Sequence, residues 1–240
     1  YNMFYHLNAN NRVKNIICEF ELKAVGARYQ NGFGIEFPFD ASLIESITII
    51  DGSDPLTMSD VVSDVNFSPA LEDDGDKAVI IFINNTNDLI QQSSENFINT
   101  QLGVPYVEPA VFALDIKLST AQQTTNWEWI PPYNPFIFVD RDRTHEIHLL
   151  DFPPTSRADI SLFGVDHDDS NIGSNQYYKT INNLPWALNI VGSWDYPIEY
   201  EQASRAYLKL KPWAESSGAS YQDWYEDKAG YRDESIIYSH

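Results

Sequence analysis

The sequence predicts a mainly β protein, a two-layer antiparallel β-sandwich with short C-terminal helices at about 198–228. Three observations predict it. Apolar and polar residues alternate with a period of two in several segments of the first 150 residues, as strands with one face in a core do. Aromatic residues make up 14% of the chain, and its tyrosines and tryptophans suit a pleated, half-buried surface. A strong period near 3.6 residues appears only towards the C-terminus. No repeat, low-complexity tract or linker divides the 240 residues, so a single domain over 1–240 is expected.

The elements follow in order. Residues 13–25, VKNIICEFELKAV, place Phe20, Leu22 and Ala24 on one face and Glu19, Glu21 and Lys23 on the other. After the turn Gln30-Asn31-Gly32, GFGIEFPFD gives a second strand and Ser46–Ile50 a third. Residues 53–69 are polar and irregular, LEDDGD is an acidic turn, and KAVIIFIN is a fully apolar strand. Asn87–Asn99 has the pattern of a helix. VEPAVFALDIKLST alternates as a long strand. Phe136–Val139 and Glu146–Leu150 are two strands joined by the charged turn Asp140–Arg143, and Ala187–Val191 is a late strand.

Then the period changes. Ala203, Ala206, Tyr207, Leu210, Trp213 and Ala214 fall on one helical face, with Pro197 ahead of it and Pro212 limiting its far end. Ser220 and Asp223 open a second short helix like a capping box, and Gly230 closes it. Tyr207, Trp213 and Trp224 are expected to bury against the turn Leu184–Leu188.

Charge narrows the function. With 15 Lys and Arg against 35 Asp and Glu, the net charge is −20. Phosphate binding needs a positive surface, so nucleic acid is excluded as a partner, and docking on anionic lipid is disfavoured. Cations, basic partner proteins and neutral ligands such as sugars remain, beside plain solubility. Cys18 is the only cysteine and sits in a strand pattern, which makes it a small core residue rather than a nucleophile. No apolar run approaches the ~20 residues that span a bilayer. The chain starts at Tyr1 without a targeting segment, as a mature product whose natural start lies upstream does.

Three constellations carry chemistry. In His145-Glu146-Ile147-His148, strand alternation puts Glu146 and His148 on one polar face with Ile147 and Leu149 inward. This is either a ligand-binding pair or a hydrogen-bonded carboxylate and imidazole at a sheet edge. The histidines are not four apart, so the helical zinc motif is absent. Asp166-His167-Asp168-Asp169-Ser170-Asn171 has the oxygen-rich composition of a calcium loop, with Asp166, Asp168 and Asp169 as metal ligands, or is a solvated acidic loop. It lacks the glycine and distal Glu of an EF-hand. Trp127 and Trp129 share a face if they lie on a strand, forming either a platform for a sugar ring or part of the core. No nucleophile elbow or phosphate-cradling glycine loop is present, and no catalytic residue is assigned.

The motifs HEIHLLDFPPTSRADISLFGVDHDDS, NNLPWALNI and DYPIEYEQASRAYLKLKPWAESSGASYQDWYED resemble the LruC-type domain of bacterial envelope lipoproteins. The resemblance is clearest from Asn134 to Tyr225, and ARYQNGFGIEFPFD resembles that family's N-terminal strands. It implies an exported protein of the outer membrane or cell surface, tied to the membrane only through a lipid anchor upstream of this chain. It implies no activity. The expected function is a non-catalytic surface binding, adhesion or assembly module with a surface glycan or envelope protein as partner, stabilised by calcium or binding glycan. The alternative is a polysaccharide hydrolase using Glu146 and a second carboxylate.

Overall fold

The alternating segments do pair as strands. The structure, a computed structural model, describes residues 1–50, 69–90, 99–123 and 131–239. Its strands are β1 (Asn2–Leu7), β2 (Val13–Leu22), β3 (Gly32–Phe37), β4 (Ile44–Ile50), β5 (Ala70–Asp74), β6 (Lys77–Ile83), β7 (Ala110–Gln122), β8 (Asn134–Phe138) and β9 (Glu146–His148), followed by the helices α1 (Ala203–Ala206) and α2 (Leu210–Glu215). The chain gathers into two units. The first holds Tyr1–Lys23, Gln30–Gln91 and Val107–Arg141, and the second holds Ala24–Tyr29, Gln92–Tyr106 and Asp142–His240.

The first unit is the sandwich. One sheet runs β1-β2-β7-β4, and the strands of the other that belong to this unit run β5-β6-β3-β8. All the registered pairs are antiparallel. The β2–β7 ladder sets Ile16 opposite Ile116, Cys18 opposite Leu114 and Phe20 opposite Phe112, and all six are buried. Their partners across the core are Ile35, Phe37, Ala78, Ile80 and Phe82. Phe20 stacks on Phe112 at 4.9 Å and meets Phe82 at 4.7 Å, so one ring ties the two layers together. Burying each such ring stabilises the fold by about 1.5–3 kcal/mol. Burial also pushes the Cys18 thiol far above its ordinary range, with the Asp115 charge adding to it, so Cys18 is a core residue as its pattern implies.

The opposite face of the second sheet is also dry. Gly32 lies opposite Phe138 and Gly34 opposite Phe136. A Cβ on Gly34 would fall 2.6 Å from the Phe136 ring, and one on Gly32 would fall 2.0 Å from the Phe138 ring. The glycines let two phenylalanines lie flat across β3. Beside them Glu36, 4% exposed, accepts hydrogen bonds from Lys77 Nζ at 3.1 Å and Asn134 Nδ2 at 2.7 Å. Neighbouring strands thus neutralise a buried charge.

Several expectations need correction. β1 carries no clean alternation and is invisible to pattern alone. Glu19, placed on a polar face, is 5% exposed. Residues 70–74 of the acidic stretch form strand β5, and the turn is only at Gly75. The irregular 53–68 stretch and most of the 87–99 helix lie outside the described residues, although Thr86–Asp88 form one 3₁₀ turn.

In the second unit Ala187–Val191 is not a strand. Leu188 and Ile190 instead pack irregularly against the hydrophobic cluster of Tyr207, Trp224 and Ile237. Leu184 and Trp213 join the same cluster, as expected of the Leu184–Leu188 turn. The predicted 203–214 helix breaks at Tyr207 because the backbone finds other partners: Leu208 N–H donates to Tyr231 O at 2.7 Å and Asp233 N–H to Ala206 O at 2.9 Å. Pro212 sits in the first turn of α2, where its missing N–H costs nothing. Residues 220–230 form consecutive tight turns rather than a helix, with Tyr221 at φ +52° and Asp223 held by Lys228.

Because Gly32 has no room for a methyl group, Gly32→Ala is expected to destabilise the protein by about 1–3 kcal/mol. Urea denaturation would show a lower midpoint at unchanged slope. An unchanged midpoint would mean that the Phe138 ring moves aside at no cost.

Candidate functional site

The short strand β9 delivers Glu146 and His148 to the inside of the second unit. This reverses the expected faces. Both side chains are fully buried, while Ile147 and Leu149 are only half-buried. Alternation cannot tell which face of a three-residue strand points inward, and here the polar face does.

Every oxygen of the Glu146 carboxylate is engaged. Oε2 accepts from His148 Nε2 at 2.8 Å and from the Thr155 backbone N–H at 3.0 Å. Oε1 accepts from Thr155 Oγ1 at 2.7 Å and from the Arg143 guanidinium. An ionised carboxylate can only accept, so His148 Nε2 carries the proton. Burial pushes the Glu146 carboxyl up, but the hydrogen bonds from His148 and Thr155 and the Arg143 charge outweigh it, and the group titrates below its ordinary range. Thr155 is 4% exposed and the Arg143 side chain 14%, so little solvent reaches the pair.

The acidic loop joins this knot through Tyr178, a residue sequence reasoning missed. The His148 imidazole stacks on the Tyr178 ring at 5.2 Å, and Phe163 meets that ring edge-on at 5.3 Å. The Tyr178 N–H donates to Ser170 Oγ at 2.7 Å, and Ser170 Oγ donates to Asp168 Oδ1 at 2.8 Å. Trp186, from the Leu-Pro-Trp turn, donates Nε1–H to the same oxygen at 2.8 Å. Asp168 Oδ2 accepts from the backbone N–H groups of Gly164 at 2.9 Å and Ser170 at 3.3 Å. Four donors therefore hold Asp168 in place. Asp166 and Asp169 are exposed. Among the described residues no three His, Cys, Asp or Glu side chains come together as a metal-binding group.

Burial and the nearby charges of Glu146 and Asp168 push the Tyr178 phenol far above its ordinary range, and its hydroxyl finds no hydrogen-bond partner among the described residues. The only sequence signal for Tyr178 was its place between the loop and the Leu-Pro-Trp turn. Trp127 and Trp129 lie outside the described residues.

A separate pocket of about 170 Å³ opens beside α2 in the same unit. Asp151, Lys179, Asn183, Trp213, Ser217 and Gly218 line it. Asp151 and Ser217 are exposed at its rim, and Trp213 is half-buried. These residues come from three segments of the chain, around 150, 180 and 215, and no spacing in the sequence gathers them.

The fold and this site define a two-sheet β protein in which the acid and imidazole of Glu146 and His148 are spent on each other and on buried neighbours. Residues 11–225 match the family model of a domain of unknown function, DUF4842, and the chain belongs to that family. The finer likeness to LruC-type domains is not part of that match. No curated protein matches the chain. Among solved structures it is similar to the crystal structure of a "Putative lipoprotein" from Bacteroides ovatus, at 18% identity and a TM-score of 0.62. The likeness covers 95% of this chain and 64% of that one, so this chain spans about two thirds of that protein's length, and it shows the shared fold. No helix among the described residues is long and apolar enough to cross a membrane.

Removing the Asp168 carboxylate leaves two backbone donors and an indole unpaired. Asp168→Ala is expected to cost about 1–3 kcal/mol, equally in EDTA and in millimolar calcium. Thermal melts in both conditions check it. A wild-type melting temperature several degrees higher in calcium, with the gain lost in the variant, would make the loop an ion site.

Proposed function

We propose that this chain is a non-catalytic binding module of the bacterial envelope, carried at the outer membrane or cell surface by a lipid anchor upstream of it. One observation carries the reading. The carboxylate that a hydrolase would need, Glu146, is sealed from solvent and has all its lone pairs committed to Arg143, His148 and Thr155. A general acid must reach the leaving-group oxygen, and a nucleophile must reach the sugar carbon. This carboxylate reaches neither.

The envelope setting is supported by the printed name of the Bacteroides ovatus protein and by the resemblance of the chain's motifs to LruC-type lipoprotein domains. Glycan is the ligand class that suits the charge. At −20 the chain repels anionic partners, whereas a neutral polysaccharide meets no such barrier. The four donors on Asp168 explain the acidic loop, so calcium is not needed by the reading.

The purified chain should co-sediment with an insoluble neutral polysaccharide drawn from a small panel, while releasing no reducing ends. Release that grows with time for the wild type and stops in a folded Glu146→Gln variant would replace this reading with a hydrolase. Failure to co-sediment with any member of the panel would overturn the binding half.

A further inference from the structure

We propose that the pocket beside α2 is a subsite for one pyranose ring of a glycan. The proposal deepens the binding-module reading and rests on it. The first argument is the hydrogen-bonding inventory. Lys179 offers three donors, the Asp151 carboxylate only accepts, and Asn183 and Ser217 do both. Neighbouring ring hydroxyls, each able to donate and accept, match such a mixed set. An anion would meet Asp151 and a cation would meet Lys179, so the pocket selects a neutral polyol.

The state of Lys179 adds to this. In a chain with 35 acidic residues, the Lys179 ammonium forms no ion pair among the described residues. Its half-buried stem lies in the pocket wall and its charge is available to a ligand hydroxyl. Trp213 supplies the apolar wall. Its ring is braced by Trp224 at 5.7 Å, and Gly218, at φ +80°, lets the chain lie against the indole nitrogen edge, where a Cβ would sit 3.6 Å from Nε1. An aromatic face with a few convergent polar groups is the usual make-up of a small-ligand site.

The pocket is also preformed. Asp151 N–H donates to Tyr177 O at 3.0 Å, Asn183 N–H to Thr180 O at 2.8 Å and Gly218 N–H to Trp213 O at 2.9 Å. The lining is thus pinned through its backbone, and little ordering is left to be done on binding. At about 170 Å³ the space is smaller than the roughly 300–1,000 Å³ that encloses drug-sized ligands, so one ring enters and the rest of a glycan lies outside.

The test uses the full chain, labelled with ¹⁵N, and the methyl glycosides of glucose, galactose, mannose, N-acetylglucosamine, fucose and rhamnose, with inorganic phosphate as the anionic control. The indole N–H signal of Trp213 is assigned by its loss in Trp213→Phe. At least one sugar is expected to shift that signal saturably, and phosphate is not. Lys179→Met and Asp151→Asn are each expected to weaken binding about tenfold at unchanged melting temperature. Asn at 151 keeps the acceptor that Tyr177 N–H uses.

A shift with phosphate alone, no shift with any of the six sugars, or undiminished binding in both variants overturns the proposal. If the sugars fail here while the chain still co-sediments with a polysaccharide, the subsite falls and the binding-module reading stands. If both fail, both fall.

Discussion

A carboxylate taken out of water must be repaid by partners, and the second unit is arranged around meeting that demand at Glu146. The effective penalty for burying one ion is several kcal/mol, and only well-placed hydrogen bonds and an opposite charge offset it. Arg143 gives the charge, Thr155 gives a hydroxyl and a backbone N–H, and His148 gives an imidazole N–H. These partners fix the course of the chain from 143 to 155. His148 then fixes Tyr178 by stacking, Tyr178 fixes Ser170, and Ser170 with Trp186 fixes Asp168. A unit with little regular secondary structure is thereby held by polar contacts of defined length, beside its own aromatic cluster around Tyr207 and Trp224.

The sandwich unit is held differently. Its core of Ile, Leu and Phe is continuous between the sheets, and its one buried acid on the dry outer face, Glu36, is neutralised across the strands by Lys77 and Asn134. Glycines at 32 and 34 make room for phenylalanine rings. Area burial supplies most of its stability. Polar geometry shapes the other unit. Burial and engagement of Glu146 also bear directly on function, since a group that secures the fold in this way is closed to substrate.

The sandwich was legible because its strands are long and amphipathic. The β2–β7 ladder, β3 and β4 lie where the strand patterns put them, and β6 lies where its unbroken apolar run does. The C-terminal helices were half legible. The apolar face from Ala203 to Ala214 is real, but the backbone at Tyr207 pairs with residues 231–233, and pattern cannot report a partner so distant in sequence. At the site, Glu146, His148 and Asp168 were found by residue type, and their places in one network were not. Which side of β9 faces inward depends on Arg143 and Thr155 lying next to it. No spacing signal gathers the pocket residues Asp151, Lys179, Asn183 and Trp213.

The central claim is that Glu146 is ionised in the core and stabilises the fold there. Its folded carboxyl titrates below the ordinary value of 4.5. A group depressed in this way contributes stability that is fully present above its unfolded value and is lost as pH falls through the folded one. The most direct measurement is the urea stability of the wild type and of Glu146→Gln from pH 7 down to about pH 3, a window that starts above the ordinary carboxyl value and runs below it. The account predicts that the wild type is the more stable at pH 7 and that the gap closes on acidification below 4.5. Two parallel acid limbs, or a variant as stable as the wild type at pH 7, would contradict it.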